Sequence, residues 1–199
     1  KQDFPEIKTL LIQNGYRTEK NDLFNLLDFK YREQKNVVDE LFVFGNAVAK
    51  KYSQYIDGRV TTHGSLKNNL FPVIQTSETS IAYISTYRPS ISKSFVLRES
   101  EAESPITYGE VIARRKAAIL WLANYCAEKN RLLKIIGKDE NSAAEEDYYK
   151  GLLREFKFEF VGKTSSETSY EAIDRSEIVV FTSSTLGYES LARGKRTAA

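Results

Sequence analysis

From about residue 80 onward the chain alternates strand-like with helix-like segments, and no other feature restricts its fold as much. Repeated βαβ units commit a chain to a parallel sheet flanked by helices. Ser80-Ile81-Ala82-Tyr83-Ile84-Ser85-Thr86 is short, β-branched and aromatic, and Tyr87-Arg88-Pro89-Ser90 ends it in a loop. Thr107 to Glu128 places Val111, Ala118, Leu122 and Tyr125 at helical spacings behind a Thr107-x-x-Glu110 capping box. Leu132 to Gly137 reads as a second strand, and the acidic start Glu145-Glu146-Asp147 opens a helix running to about Glu155. Phe158 to Gly162 is a third strand, Ser169 to Arg175 a short helix, and Glu177 to Phe181 a fourth strand. Thr185 to Ala192 is a helix that Gly194 stops, and a further strand begins at Arg196.

The first 65 residues carry parallel-sheet material in a different arrangement. Thr9 to Gln13 and Leu41 to Gly45 read as buried strands, Asn46 to Tyr55 as a helix with Asn46 as its cap, and Arg59 to Thr62 as a strand ended by His63-Gly64-Ser65. The expected organisation is a lobe over residues 1–65, a linker over 66–79 and a second lobe over 80–199, with Arg98 to Ser104 a surface loop. The chain has no methionine and starts at Lys1, so we read it as a fragment whose N-terminal lobe is incomplete and whose C-terminal lobe is truncated.

Composition bounds the function. With 199 residues, 41% hydrophobic and 28% charged, the chain falls among soluble globular proteins long enough to bury a core. Its longest apolar runs, such as Ile178 to Phe181, are far short of a membrane span. A net charge of +2 from 29 basic and 27 acidic side chains, interspersed along the chain, argues against a nucleic-acid binder. Cys126 stands alone in an apolar helical pattern, which fits a buried, inert thiol in a reducing cytoplasm. The twelve Tyr and eleven Phe fit strands and helix faces and are expected as core.

The chemistry concentrates after the fourth strand of the second lobe. Thr182-Ser183-Ser184-Thr185 joins that strand to a helix through small hydroxyl residues, which presents backbone N–H groups and hydroxyls at the positive helix end, a setting that suits a phosphate. Ligands of open parallel sheets bind beyond the carboxyl ends of the strands, where this turn lies. Glu189, about one helical turn further on, reaches a ribose or sugar hydroxyl on this reading. The plain alternative makes Ser183 and Ser184 helix caps and Glu189 a surface carboxylate.

The segment from Ser176 to Arg196, with Thr182-Ser183-Ser184-Thr185-Leu186-Gly187-Tyr188-Glu189 at its centre, resembles the donor-site segment of bacterial surface-carbohydrate biosynthesis proteins. These are similar to the glycosyltransferase B superfamily of polysialyl- and Kdo-type transferases, CDP-glycerol glycerophosphotransferases and non-hydrolysing UDP-N-acetylglucosamine 2-epimerases. Leu11 to Arg17 and His63 to Asn69 also look like pieces of such proteins. The resemblance implies an α/β fold of two Rossmann-like lobes of glycosyltransferase B type around a cleft, donor phosphate on Thr182, Ser183, Ser184 and Thr185, and ribose or sugar on Glu189. It implies a cytoplasmic, metal-independent transferase with no cofactor, whose partners are a nucleotide-activated sugar donor and a glycan acceptor. It leaves open a peripheral association with the inner face of the cytoplasmic membrane. Sialyl- and Kdo-type transferases carry a His-Pro pair after the second donor-lobe strand, where this chain has Ile136-Gly137-Lys138-Asp139-Glu140, so the donor's nucleotide is not specified.

The remaining candidates each have a plain alternative. Lys138 either replaces the missing positive charge or is a solvated loop lysine. Arg88, ending the first donor-lobe strand, is a candidate donor-phosphate ligand. Asn14, Gly15 and Arg17 follow a strand on the acceptor side, with Arg17 suited to an anionic group or simply a surface arginine. His63, the sole histidine, is a base, a phosphate ligand or a loop residue. No catalytic base is assigned; His63 and Arg17 are the candidates. One histidine and one cysteine support no metal site, and no Gly-x-Gly-x-x-Gly, Walker loop or Gly-x-Ser-x-Gly elbow occurs. The rival functions are a nucleotide-sugar 2-epimerase and a noncatalytic nucleotide-sugar-binding protein.

Overall fold

The computed structural model describes residues 6–15, 35–75, 78–87, 96–100, 103–138, 140 and 143–199. Contacts divide the chain into two units, Lys1–Pro72 and Val73–Ala199. Both are α/β with parallel, Rossmann-like sheets.

The first unit contains β1 (Leu10–Ile12), β2 (Asn36–Val43), α1 (Asn46–Tyr52), β3 (Ile56–Thr62) and α2 (Leu66–Leu70). Its strands lie in the order β1-β2-β3, all parallel. Val38, Leu41, Val43, Tyr52, Tyr55 and Ile56 form its core. β3 starts three residues before the expected Arg59 because Gly58 does not break it. At a φ of +151° that glycine faces the Val38 carbonyl oxygen, which a Cβ would approach to 1.7 Å, at the point where the β2–β3 register shifts. Asn46 is not the cap expected of it. Gly45 occupies that position, and Asn46 Oδ1 accepts from Thr62 Oγ1 at 2.9 Å. Within the stretch 66–79 read as linker, Leu66–Leu70 is helical, with Ser65 Oγ accepting from Asn68 N–H, and Glu78 already pairs in the next sheet.

The second unit contains β4 (Glu78–Ile84), β5 (Val96–Ser100), β6 (Glu103–Thr107), α3 (Tyr108–Glu128), β7 (Leu132–Ile136) and α4 (Ala143–Leu152). β8 (Phe158–Val161), α5 (Ser166–Arg175), β9 (Ser176–Val180), α6 (Thr185–Ala192) and β10 (Arg196–Ala198) follow. The sheet order is β8-β7-β4-β9-β10, all parallel. Successive strands step outward on one side of β4 and then on the other, so strand order reverses between β4 and β9, the place where doubly wound sheets open a crevice. The central strands are apolar on both faces because helices cover both. Lys134 is the charged exception: 5% exposed within the apolar run of β7, it pairs with Glu78 on β4.

Local signals account for most boundaries. The capping box forms as expected, Thr107 Oγ1 accepting from Glu110 N–H at 3.2 Å while Glu110 Oε2 accepts from Thr107 N–H at 2.8 Å. Gly194, at a φ of +79°, closes α6 with its own N–H on Leu191 carbonyl and Lys195 N–H on Ser190 carbonyl, a Schellman ending. Cys126 is buried, and burial pushes its thiol up. Two expectations are corrected. Of the stretch expected as a surface loop, Arg98–Ser100 and Glu103–Ser104 belong to the antiparallel strands β5 and β6, whose ladder is a backbone interaction that tolerates polar side chains, and residues 101 and 102 lie outside the described residues. α5 begins three residues before Ser169 because Ser165 Oγ caps it, accepting from Thr168 N–H. Among the described residues no helix is long and apolar enough to cross a membrane.

Candidate functional site

The turn after β9 is held at a fixed height over its strand. Phe181 is buried, and Gly187 on α6 lies against its ring so closely that a Cβ would fall 2.2 Å from it. Thr182 and Ser183 are exposed on top. Ser184 adopts an extended conformation as the N-cap of α6 but makes no side-chain capping hydrogen bond, so the sequence alternative that made it a side-chain cap is not realised. The positive end of the helix therefore opens behind exposed hydroxyls, the arrangement that favours an anion.

Across the strand reversal stands Arg115 of α3. Its guanidinium reaches Ser183 Oγ at 3.5 Å, the outer limit of a hydrogen bond. Arg115 also borders an open cleft with an enclosed volume of about 70 Å³, walled by Tyr83, Tyr87, Tyr108, Tyr148 and Tyr149. These tyrosines are thus not merely core. Ser85, buried at the end of β4, fixes two of them: its Oγ lies 3.0 Å from the Tyr149 hydroxyl and accepts from Tyr87 N–H at 3.1 Å. The Tyr87 and Tyr148 rings lie 4.8 Å apart, and Lys116 Nζ sits 5.9 Å from the Tyr148 ring centre. Burial pushes the phenols of Tyr83, Tyr148 and Tyr149 up, Tyr149 furthest, so they remain neutral hydroxyls at neutral pH. A guanidinium, hydroxyls and aromatic faces at one sheet edge suit a ligand that joins phosphate to a ring.

The expected site residues fall in different settings. Glu189 is 8% exposed and accepts from the Tyr170 hydroxyl at 2.8 Å. Behind it Arg193 grips Asp174 through two hydrogen bonds of 2.7 and 2.5 Å, and Asp174 also accepts from Ile74 N–H at 2.9 Å. Contact between Glu189 and a sugar would require its carboxylate to leave Tyr170. Lys138 follows β7 with its side chain exposed, and its backbone N–H donates to Glu145 Oε2 at 3.0 Å. Arg88 and Arg17 lie outside the described residues.

Asn14, Gly15 and His63 follow β1 and β3 at the carboxyl edge of the first unit's sheet. There Gln13 is a buried clamp, its Nε2 donating to Gly15 carbonyl and its Oε1 accepting from Phe44 N–H. Asn14 is exposed. His63 is exposed too, edge-on to the Phe42 ring with centroids 5.9 Å apart. Among the described residues no three His, Cys, Asp or Glu side chains come together as a metal-holding group.

Arg115 was missed in the sequence, although a signal was present. Tyr108, Ile112, Arg115, Ile119, Leu122 and Cys126 recur at steps of three and four along α3 and lie on its inward side. A cation on such a stripe is misplaced unless something polar meets it there.

Residues 10–199 match a protein family described as "putative O-antigen biosynthesis protein". No curated protein matches the chain.

Proposed function

The chain belongs to this family of O-antigen biosynthesis proteins, which supports a role in surface-carbohydrate biosynthesis, and from that premise we propose that it transfers a sugar from a nucleotide-activated donor to a growing surface glycan. The donor binds at the carboxyl edge of the second unit's sheet. Its phosphate lies between Arg115, Ser183 and the start of α6, and its ring system lies against the tyrosines. The observation that carries the reading is Arg115, a guanidinium beside exposed hydroxyls with no carboxylate partner among the described residues.

In this role the chain's own groups act on the leaving phosphate. The acceptor hydroxyl oxygen bonds to the sugar carbon and gives up its proton to the departing phosphate or to solvent. As it does so, the bond from that carbon to the phosphate oxygen breaks and leaves negative charge on the phosphate. Arg115 and the helix dipole stabilise that charge more than they stabilise the bound donor, which is what lowers a barrier. The fold, on this reading, is of the two-lobed glycosyltransferase B type.

Titration calorimetry with UDP- and CMP-sugars tests it. Arg115→Ala is expected to weaken binding by roughly 10- to 100-fold, the worth of a charged hydrogen bond. Equal binding by the variant and the unaltered chain would remove Arg115 from the site.

A further inference from the structure

Two glutamates are buried on the helices of the second unit, and they differ in one respect. Glu189 has the Tyr170 hydroxyl as a donor. Glu145, 3% exposed, uses Oε2 to accept from Lys138 N–H, while its Oε1 is buried with no hydrogen-bond partner among the described residues. An oxygen shut away from water without a donor is costly, by about 1–3 kcal/mol for a neutral group and more for a charged one. Ser80 Oγ, near the start of β4, is a second such atom. A bound ligand is one source of a missing donor, and of the two atoms the Glu145 oxygen is the one at the ligand edge of the sheet.

The orphan oxygen stands at the ligand edge of the sheet. Lys138 lies two residues past the end of β7, so the carboxylate anchored on its N–H is at the carboxyl end of that strand. Gly137 leaves it room, since a Cβ there would come within 3.4 Å of Glu145 Oε2 and 2.9 Å of the Phe160 ring. Along α4, Glu145 precedes Tyr148 and Tyr149 by three and four residues, which puts the three on one helix face. Both tyrosines wall the cleft. β7 is bonded to β4 and β4 to β9, so two strand spacings, about 10 Å, separate the Glu145 loop from the Ser183 turn.

We propose that Glu145 Oε1 accepts a hydrogen bond from a ribose hydroxyl of the nucleotide whose phosphate is held by Arg115 and Ser183. The inference rests on the nucleotide reading of the cleft. An ionised carboxylate accepts and cannot donate, so it repels phosphate and selects a hydroxyl or N–H. Ribose hydroxyls are the donors that travel at a short covalent distance from the phosphate. A carboxylate beside the strand next to the reversal is where a doubly wound sheet meets them. The bound nucleotide then runs from β9 toward β7, with its ribose across the ends of Tyr148 and Tyr149. Glu189 positions α6 through Tyr170.

The test is calorimetry on the 199-residue chain with UDP and CMP and with their 2′-deoxy and 3′-deoxy forms. Removing the contacted hydroxyl is expected to weaken binding by roughly 10- to 100-fold. Glu145→Gln is expected to weaken the ribo forms alone, bringing the ribo-to-deoxy ratio close to one, whereas Glu189→Gln preserves the ratio. If Glu145→Gln does not fold, Glu145→Asp, which withdraws the same carboxylate by one methylene, carries the comparison. Equal affinity for ribo and deoxy forms in the unaltered chain, or discrimination that persists in the Glu145 variants, overturns the proposal and leaves the nucleotide site standing. No binding of any nucleotide to the unaltered chain overturns the nucleotide reading, and this proposal with it.

Discussion

The two sides of α6 treat charge in opposite ways. Toward α5, Arg193 and Asp174 have side chains 1% and 0% exposed, meet through two hydrogen bonds, and are joined by Tyr170 and Glu189 in a network. The Arg193 guanidinium also lies over the Tyr170 ring, 5.1 Å from its centre. Toward α3 and α4, among the described residues, Arg115 has a hydroxyl at 3.5 Å and no carboxylate, and Glu145 has an oxygen with no partner. One side closes its polar groups on one another, and the other leaves them short of partners among the described residues. On the proposed reading, the difference separates ionic groups that hold the fold from those that meet a charged or hydroxylated molecule.

Breaking the completed side should have the largest effect. Arg193→Met leaves Asp174 as an uncompensated charge that is fully buried, and a loss of about 3–5 kcal/mol is expected in urea unfolding. Pairing it with Asp174→Leu should restore part of that loss, because the uncompensated charge goes, although Ile74 N–H loses its acceptor. A double variant as unstable as the single one would mean that the network contributes something beyond its charges.

The cleft side is sharpened by pH. Burial raises the Tyr149 phenol above its ordinary value of 10.0. A group raised on folding lends stability that is fully present below the unfolded value and lost as pH climbs through the folded one. Urea unfolding should therefore show stability falling above about pH 10, with Tyr149 contributing up to about 1.4 kcal/mol per pH unit. Tyr149→Phe should flatten that slope, and an unchanged slope would locate the alkaline loss elsewhere. The smallest effect belongs to Arg115→Ala, which should shift stability by less than about 0.5 kcal/mol even though it removes a charge. A loss as large as that of Arg193→Met would erase the distinction between the two sides.

What could be read from the residues follows how local each cause is. The alternation after residue 80, the Thr107–Glu110 box and the Gly194 ending depend on neighbours within a few positions, and all three hold in the fold. The strand over Gly58 was hidden because a partner strand some way off in sequence decides it. The β5–β6 pairing was hidden because its Glu- and Ser-rich residues carry no apolar alternation. The Thr182–Thr185 turn was legible as a strand-to-helix junction with exposed hydroxyls at the helix start, since helix ends announce themselves in small hydroxyl residues. Arg115 was not. Its meaning depends on Ser183, 68 residues away along the chain. Glu145 hid for the opposite reason, because a carboxylate opening a helix already has a sufficient local explanation, and its burial depends on Gly137 and Phe160.

Gly187 has a consequence that reaches past this one chain. With a Cβ excluded by the Phe181 ring at 2.2 Å, residues 181 and 187 form a lock of fixed total volume. A methyl can enter at one position only if bulk leaves the other, so substitutions there are coupled rather than free. Change at the base of this turn is thereby tied across α6 and the end of β9, whereas side chains that do not touch the Phe181–Gly187 contact vary independently of it.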